Sequence, residues 1–188
     1  MHGYDAKDLG HAMRTVRKNT IQIAEEIPED KYGFRPAEGC RSVAETLAHI
    51  ALSPRWQHKV HSSGLTEMTF ELFSTHFGQS MKDEAELKTK PKAEILAALQ
   101  KNGDEVATWM ETLSGDVLAQ QVTFPPATGQ PPKTRFEMLL SMKEHEMHHR
   151  AQLMVVERML GIVPHLTRQM QERMAATQKQ QSAGATSA

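Results

Sequence analysis

The chain has a single cysteine, Cys40, in 188 residues. One thiol excludes an intramolecular disulfide, and it excludes a thiolate cluster holding a metal within the chain. Cys40 lies just before a helix start, where a thiol can acidify, but its simplest role is that of a passive thiol. No apolar run is long enough to span a bilayer. Met1 to Lys7 lacks the charged-then-apolar pattern of a signal peptide, so a cytoplasmic location is expected. Charge of one sign is also missing. Lys and Arg number 22 against 23 Asp and Glu, a formal net charge of −1. Without a basic field or a basic stripe interleaved with aromatics, neither nucleic acid nor an anionic membrane is an expected partner.

What remains is a globular balance, with 39% apolar and 24% charged residues, in a length that suits one domain with one sizeable core. Periodicity predicts four long amphipathic helices. The first runs from about Asp5 to Glu26, with Leu9, Met13, Val16, Thr20, Ile23 and Ile27 on one face and Pro28 as the stop. Residues 29–40 are rich in turn formers. The second helix starts at the capping box Ser42 and Glu45 and turns Val43, Leu47 and Ile50 inward. Ser53-Pro54 either kinks this helix or ends it before a further piece carrying Trp56. Residues 65–90 show no settled period and are expected to be a long crossover with short helical pieces. The third helix starts near Pro91 and buries Ile95, Leu99, Val106, Met110 and Leu113, with Gly103 a weak spot. A Pro-rich connection follows over 116–133, with room for a short strand pair around Gln121 to Phe124. The fourth helix starts at a second capping box, Thr134 and Glu137, and ends at Leu160 before Gly161 and Pro164. Residues 1–165 then form the domain, an all-α four-helix bundle. Residues 166–188 are expected to be a short helix over 165–175 and a disordered tail from 176.

Histidine is abundant, at ten residues, and it concentrates in the fourth helix. His145 and His149 are separated by about 40° on the helix surface, and Gln152 lies about 20° to the other side of His145. The same face carries Met138, Ser141, Met142 and Val156, so two imidazoles and an amide interrupt an apolar stripe. Side chains four apart meet, and two imidazoles there can reach one ion at about 2.0–2.1 Å. A third ligand must come from another helix. His49, among Leu47, Ala48 and Ile50, is the best placed. His58, His61 and His76 lie on loops or polar stretches, and His11 is off its helix's stripe. His148 is an alternative ligand, and Arg150 points to a salt bridge or a subunit contact. Three neutral imidazoles suit a divalent metal, zinc or nickel first and ferrous iron as well, and leave an open coordination position.

These residues resemble the DinB-like family of bacterial four-helix metalloproteins, which includes the YfiT-like metal-dependent hydrolases. The matching segments are Tyr32-Gly33-Phe34-Arg35-Pro36, Arg41-Ser42-Val43-Ala44-Glu45-Thr46-Leu47-Ala48-His49-Ile50, His145-Glu146-Met147-His148-His149-Arg150-Ala151-Gln152 and Leu160-Gly161-Ile162-Val163-Pro164. Ala151 stands where the family often has Gly. The resemblance spans roughly residues 5–165. It implies an up-down-down-up bundle, metal ligands at His49, His145 and His149, frequent homodimers, and enzymes that use a low-molecular-weight thiol. Bacillithiol and mycothiol transferases and maleylpyruvate isomerase are of this kind.

Three activities follow as expectations. The first is a metal-dependent enzyme on a small-molecule substrate, either a thiol S-transferase or a hydrolase, with Gln152 supporting the site from behind. The second is a non-enzymatic metal-binding or stress-response module. The third is a zinc peptidase, because His145-Glu146-Met147-His148-His149 fits H-E-x-x-H with Glu146 as general base. Against that third reading, the extended motif needs Gly at 152 and His at 155, where the chain has Gln152 and Val155. A homodimer is expected, with the apolar residues of 68–77 offering an interface.

Overall fold

A computed structural model describes residues 3–185. Helix α1 spans Ala6–Glu26, α2 Val43–Ser62, α3 Phe70–Leu87, α4 Lys92–Glu111, α5 Gly115–Ala119, α6 Arg135–Met159 and α7 His165–Ala185. Strands β1, Gln121–Val122, and β2, Lys133–Thr134, form a small antiparallel pair in register Gln121 to Thr134.

Helices α1, α2, α4 and α6 form a four-helix bundle, with α1 and α2 each packed on both α4 and α6. The cross-helix contacts give its topology. Tyr4 stacks edge-on against Phe136 while Glu26 pairs with Arg168 just past α6, so α1 and α6 run in parallel. Arg14 meets Glu111 and Lys92 meets the carbonyls of Glu25 and Ile27, so α4 opposes α1. Asn102 bonds the Ala51 carbonyl and His58 lies on Trp109, so α2 runs with α4. The order is up-down-down-up. The predicted stripes supply the core: Leu9, Met13, Val16, Thr20, Ile23 and Ile27 of α1, Val43, Leu47 and Ile50 of α2, and Ile95, Leu99, Val106 and Met110 of α4 are all buried.

Parallel α2 and α4 oblige the chain to travel back along the bundle between them. Helix α3 makes that return, antiparallel to α2, with Phe73 and Phe77 against Trp56 at one end and Lys88 on Glu45 at the other. This corrects the expectation of a crossover with short helical pieces. The period was obscured because α3 lies on the bundle's outside and buries only Ser80 fully. Phe70, Phe73, Phe77 and Met81 stay exposed on it.

Pro54 does not end α2, which continues to Ser62. A proline removes the hydrogen bond to the carbonyl four residues back, here that of Ile50. Arg17 Nη2 replaces it, donating to Ile50 O at 3.1 Å. The turn before α2 is held by the Tyr32–Pro36 motif: Tyr32 and Phe34 accept the N–H groups of Ala44 and Val43, and Tyr32 Oη donates to Ala24 O.

Two further expectations change. Thr134 caps α6 by accepting from Glu137 N, but Glu137 does not return the bond; its carboxylate lies 3.8 Å from Lys133 Nζ. The segment read as a short helix and disordered tail is one helix, α7, through Ala185, with 186–188 outside the described residues. Its Ala, Gln, Met, Arg and Lys are good helix formers, so it forms although few large apolars dock it. It is tied to the bundle by buried His165 and by Arg168 on Glu26.

Candidate metal centre

The seam between α2 and α6 brings His49, His145 and His149 together. His49 Nε2 is 3.0 Å from His145 Nε2, which is 3.2 Å from His149 Nε2. The ligand atoms of the three all lie within 4.8 Å of one another. Each remaining ring nitrogen has an oxygen partner. His49 Nδ1 faces Glu84 Oε2 at 3.0 Å, His149 Nδ1 faces Gln152 Oε1 at 2.8 Å, and His145 Nδ1 lies 3.4 Å from Ser53 Oγ. A carboxylate and an amide oxygen can only accept, so Nδ1 carries the proton in His49 and His149. The Nε2 atoms of His49 and His149 then present lone pairs toward Nε2 of His145.

Protonation does not relieve that convergence. Burial, then the neighbouring imidazoles His149 and His49, depress His145 to about 4. Burial also lowers His149, partly offset by its bond to Gln152. Both rings are neutral at pH 7. Neutral imidazole nitrogens facing one another at such distances are the donor set of a divalent cation, whose ligands would stand about 3.3 Å apart around a tetrahedral ion at about 2.0–2.1 Å. The residues therefore fit the metal. The Glu84–His49 pair supplies the carboxylate–histidine arrangement that orients a ligating ring and raises its basicity.

The neighbouring carboxylate on α6 has another task. Glu146 is 1% exposed and forks onto Arg17 of α1, with Nε at 2.9 and 3.1 Å from its two oxygens and Nη2 at 2.9 Å. Arg17 also donates to Leu99 O of α4 and Ile50 O of α2. One buried guanidinium thus ties all four bundle helices together beside His49 and His145. Gly103 makes the passage: a Cβ there would lie 2.7 Å from Arg17 Cγ. The expected weak spot in α4 is a space for Arg17. This corrects the reading of Glu146 as a general base. It is not at a solvent-facing flank, and it is not free to act as the base of an H-E-x-x-H peptidase.

The other candidates separate. His148 is exposed and meets Gln152 Nε2 at 3.1 Å, so it stands outside the cluster. Gln152 is at the solvent rim rather than within the stripe, bridging His148 and His149. Arg150 is half-buried with its Nε unpartnered. His58 and His61 lie within α2, since that helix continues past Pro54; His61 lies against Arg135, and burial followed by that guanidinium holds it at about 4. A hollow of about 500 Å³, lined by Arg41, Thr46, Gln152 and Val156 among others, reaches the cluster through Gln152, the partner of His149 Nδ1. Sequence reasoning missed Glu84 and Arg17. Glu84 sits on the unassigned α3. Arg17 could have been found as a charge on a buried stripe, matched by Glu146 of opposite sign on another.

Comparison with known proteins agrees with this picture. Residues 12–153 match the model of the DinB superfamily. The uncharacterized protein YjoA of Bacillus subtilis is 27% identical over 146 residues, covering 77% of this chain and 84% of that protein. The crystal structure of YjoA, a DinB-like protein, superposes with a TM-score of 0.62 at 22% identity, over 81% of this chain and 92% of that one. YfiT of B. subtilis, described as a probable metal-dependent hydrolase with an unusual four-helix bundle topology, gives 0.67 at 18% identity, over 86% and 91%. The bundle, its three-histidine cluster and the match over most of the chain together place this protein in the DinB superfamily.

Proposed function

We propose that His49, His145 and His149 bind one divalent metal, with zinc and nickel the best-suited ions, and that the protein is a metal-dependent enzyme acting on a small molecule. The reaction is transfer of a low-molecular-weight thiol or hydrolysis. The observation that carries this is the convergence of three Nε2 atoms whose Nδ1 partners all face oxygen. Membership of the DinB superfamily and the likeness to YfiT support it.

The chain's own residues have definable tasks. Glu84 and Gln152 hold two rings in the Nδ1–H form and point their lone pairs inward. Arg17 and Glu146 fix the spacing of α2 and α6, and so the distance from His49 to the other two rings. Val43, Leu153 and Val156 line one side of the adjoining hollow with apolar surface, and Gln152 and Thr46 line it with polar groups. When bound, a divalent ion with three protein ligands supplies Lewis acidity, enough to bring a thiol or a water to its deprotonated form near neutral pH. With Glu84 and Glu146 both engaged, the released proton passes to solvent rather than to a dedicated base.

Metal-reconstituted protein should conjugate a small thiol to an alkyl halide, or cleave an activated ester, with turnover abolished by a chelator and by His145→Ala. Turnover that resists both, or none across both reaction types, would remove the enzyme reading and leave a metal-binding module.

A further inference from the structure

Arg41 lies at the edge of the cluster without a counter-ion. Gly39, at φ +78, reverses the chain just before it, a conformation that favours glycine. The ridge of Gly39, Cys40 and Arg41 then divides two hollows. One of about 300 Å³ reaches Glu84, the partner of His49. The other, of about 500 Å³, reaches Gln152, the partner of His149.

Two nearby cations share one carboxylate. Arg35 Nη1 and Lys88 Nζ both pair with Glu45, at 2.6 and 3.1 Å. Arg41 has no hydrogen bond or ion pair among the described residues. The α2 N-terminus offers no anion site of its own either. Val43 and Ala44 donate to Phe34 and Tyr32, and the N–H groups of Ser42 and Glu45 are closed in the capping box. A free guanidinium at the mouth of a hollow with an apolar wall therefore stands beside the three-histidine cluster.

Resting on the metal-centre reading above, we propose that Arg41 docks a carboxylate of the substrate, whose reactive end then lies at the histidine cluster. The substrate class is a small monoanion: a carboxylate, an apolar stem against Val43, Leu153 and Val156, and a metal-seeking group at the other end. A guanidinium fork matches a carboxylate's two oxygens. One unpaired guanidinium balances the single negative charge of a carboxylate.

The test uses full-length protein loaded with Co²⁺, titrated with 3-mercaptopropionate and with its neutral counterpart 3-mercaptopropanol. Binding is read from the thiolate-to-cobalt absorption band, independently of turnover. Wild type is expected to bind the carboxylate about threefold to fivefold more tightly, an exposed charge-assisted contact. Arg41→Gln, a surface change that leaves the core untouched, is expected to bring the ratio to about one while the alcohol's affinity stays unchanged. Arg41→Lys should restore part of it. Equal affinities in wild type, or a preference that survives Arg41→Gln, would overturn the proposal. Cobalt bound without any discrimination contradicts Arg41 alone; failure to bind cobalt refutes the metal centre and this inference with it.

Discussion

Replacing Glu146 by Gln separates a structural carboxylate from a catalytic one. In the structure Glu146 is 1% exposed and accepts three bonds from Arg17, whose side chain is 4% exposed. Solvent does not screen this pair. Removing one partner of a buried pair costs about 3–5 kcal/mol, because the other charge is left uncompensated. Gln keeps an acceptor, so the lower end, about 3 kcal/mol, is expected. For a domain of this size that is roughly 6–12 °C in Tm. Urea unfolding followed by circular dichroism reads it, alongside the metal content of the folded protein, which should not change at native temperature. The double variant Arg17→Met with Glu146→Leu should recover part of the loss, at most about 2 kcal/mol. It should still fall short of wild type by about 1–3 kcal/mol, the cost of an unsatisfied buried carbonyl. That carbonyl is Ile50's, freed by Pro54 and otherwise served by Arg17. If Glu146→Gln has wild-type stability and instead abolishes turnover, Glu146 is a catalytic base and the tie across the bundle is wrong.

Two further changes test the surroundings. Glu84→Gln should weaken metal affinity by about 10–100-fold in a competition with a chromophoric chelator, with Tm of the metal-free protein little changed; undiminished affinity would mean that the Glu84 bond to His49 Nδ1 contributes nothing. Glu157 is fully buried with neither oxygen partnered, and burial followed by Glu26 raises its carboxyl to about 7. The folded state therefore holds a proton that the unfolded state releases above its ordinary value of 4.5, so Glu157 lowers stability as pH rises between the two. Glu157→Gln should accordingly raise stability by roughly 1–3 kcal/mol at pH 8 and by little at pH 4.5; an equal gain at both would contradict the buried-acid account.

What was legible in the sequence is what periodicity and spacing encode. The stripes of α1, α2 and α4 became the core, apart from Leu113, which lies past the end of α4 and is half-buried, because their members are large apolars or a Thr at the inward position. His145 and His149 were visible through their i, i+4 spacing, and His49 through its place among buried residues. Helix α3 was hidden because its aromatics Phe70, Phe73 and Phe77 face partly outward, and Glu84 was hidden with it. Gly103 looked like a defect in α4 because helix propensity knows nothing of Arg17. The pairing of Arg17 with Glu146 links residues 129 positions apart, beyond the reach of local pattern, and only two opposite charges on inward faces signalled it. Helix α7 forms beyond 175 from propensity, where the scarcity of large apolars pointed to disorder.

The most direct test of the metal centre is the metal content of protein purified without a histidine tag, by elemental mass spectrometry, for wild type and His49→Ala. One divalent ion per chain in the wild type, mostly lost in the variant, is the predicted result. No metal in the wild type after incubation with zinc, nickel and iron, or full retention in His49→Ala, would contradict the three-histidine site.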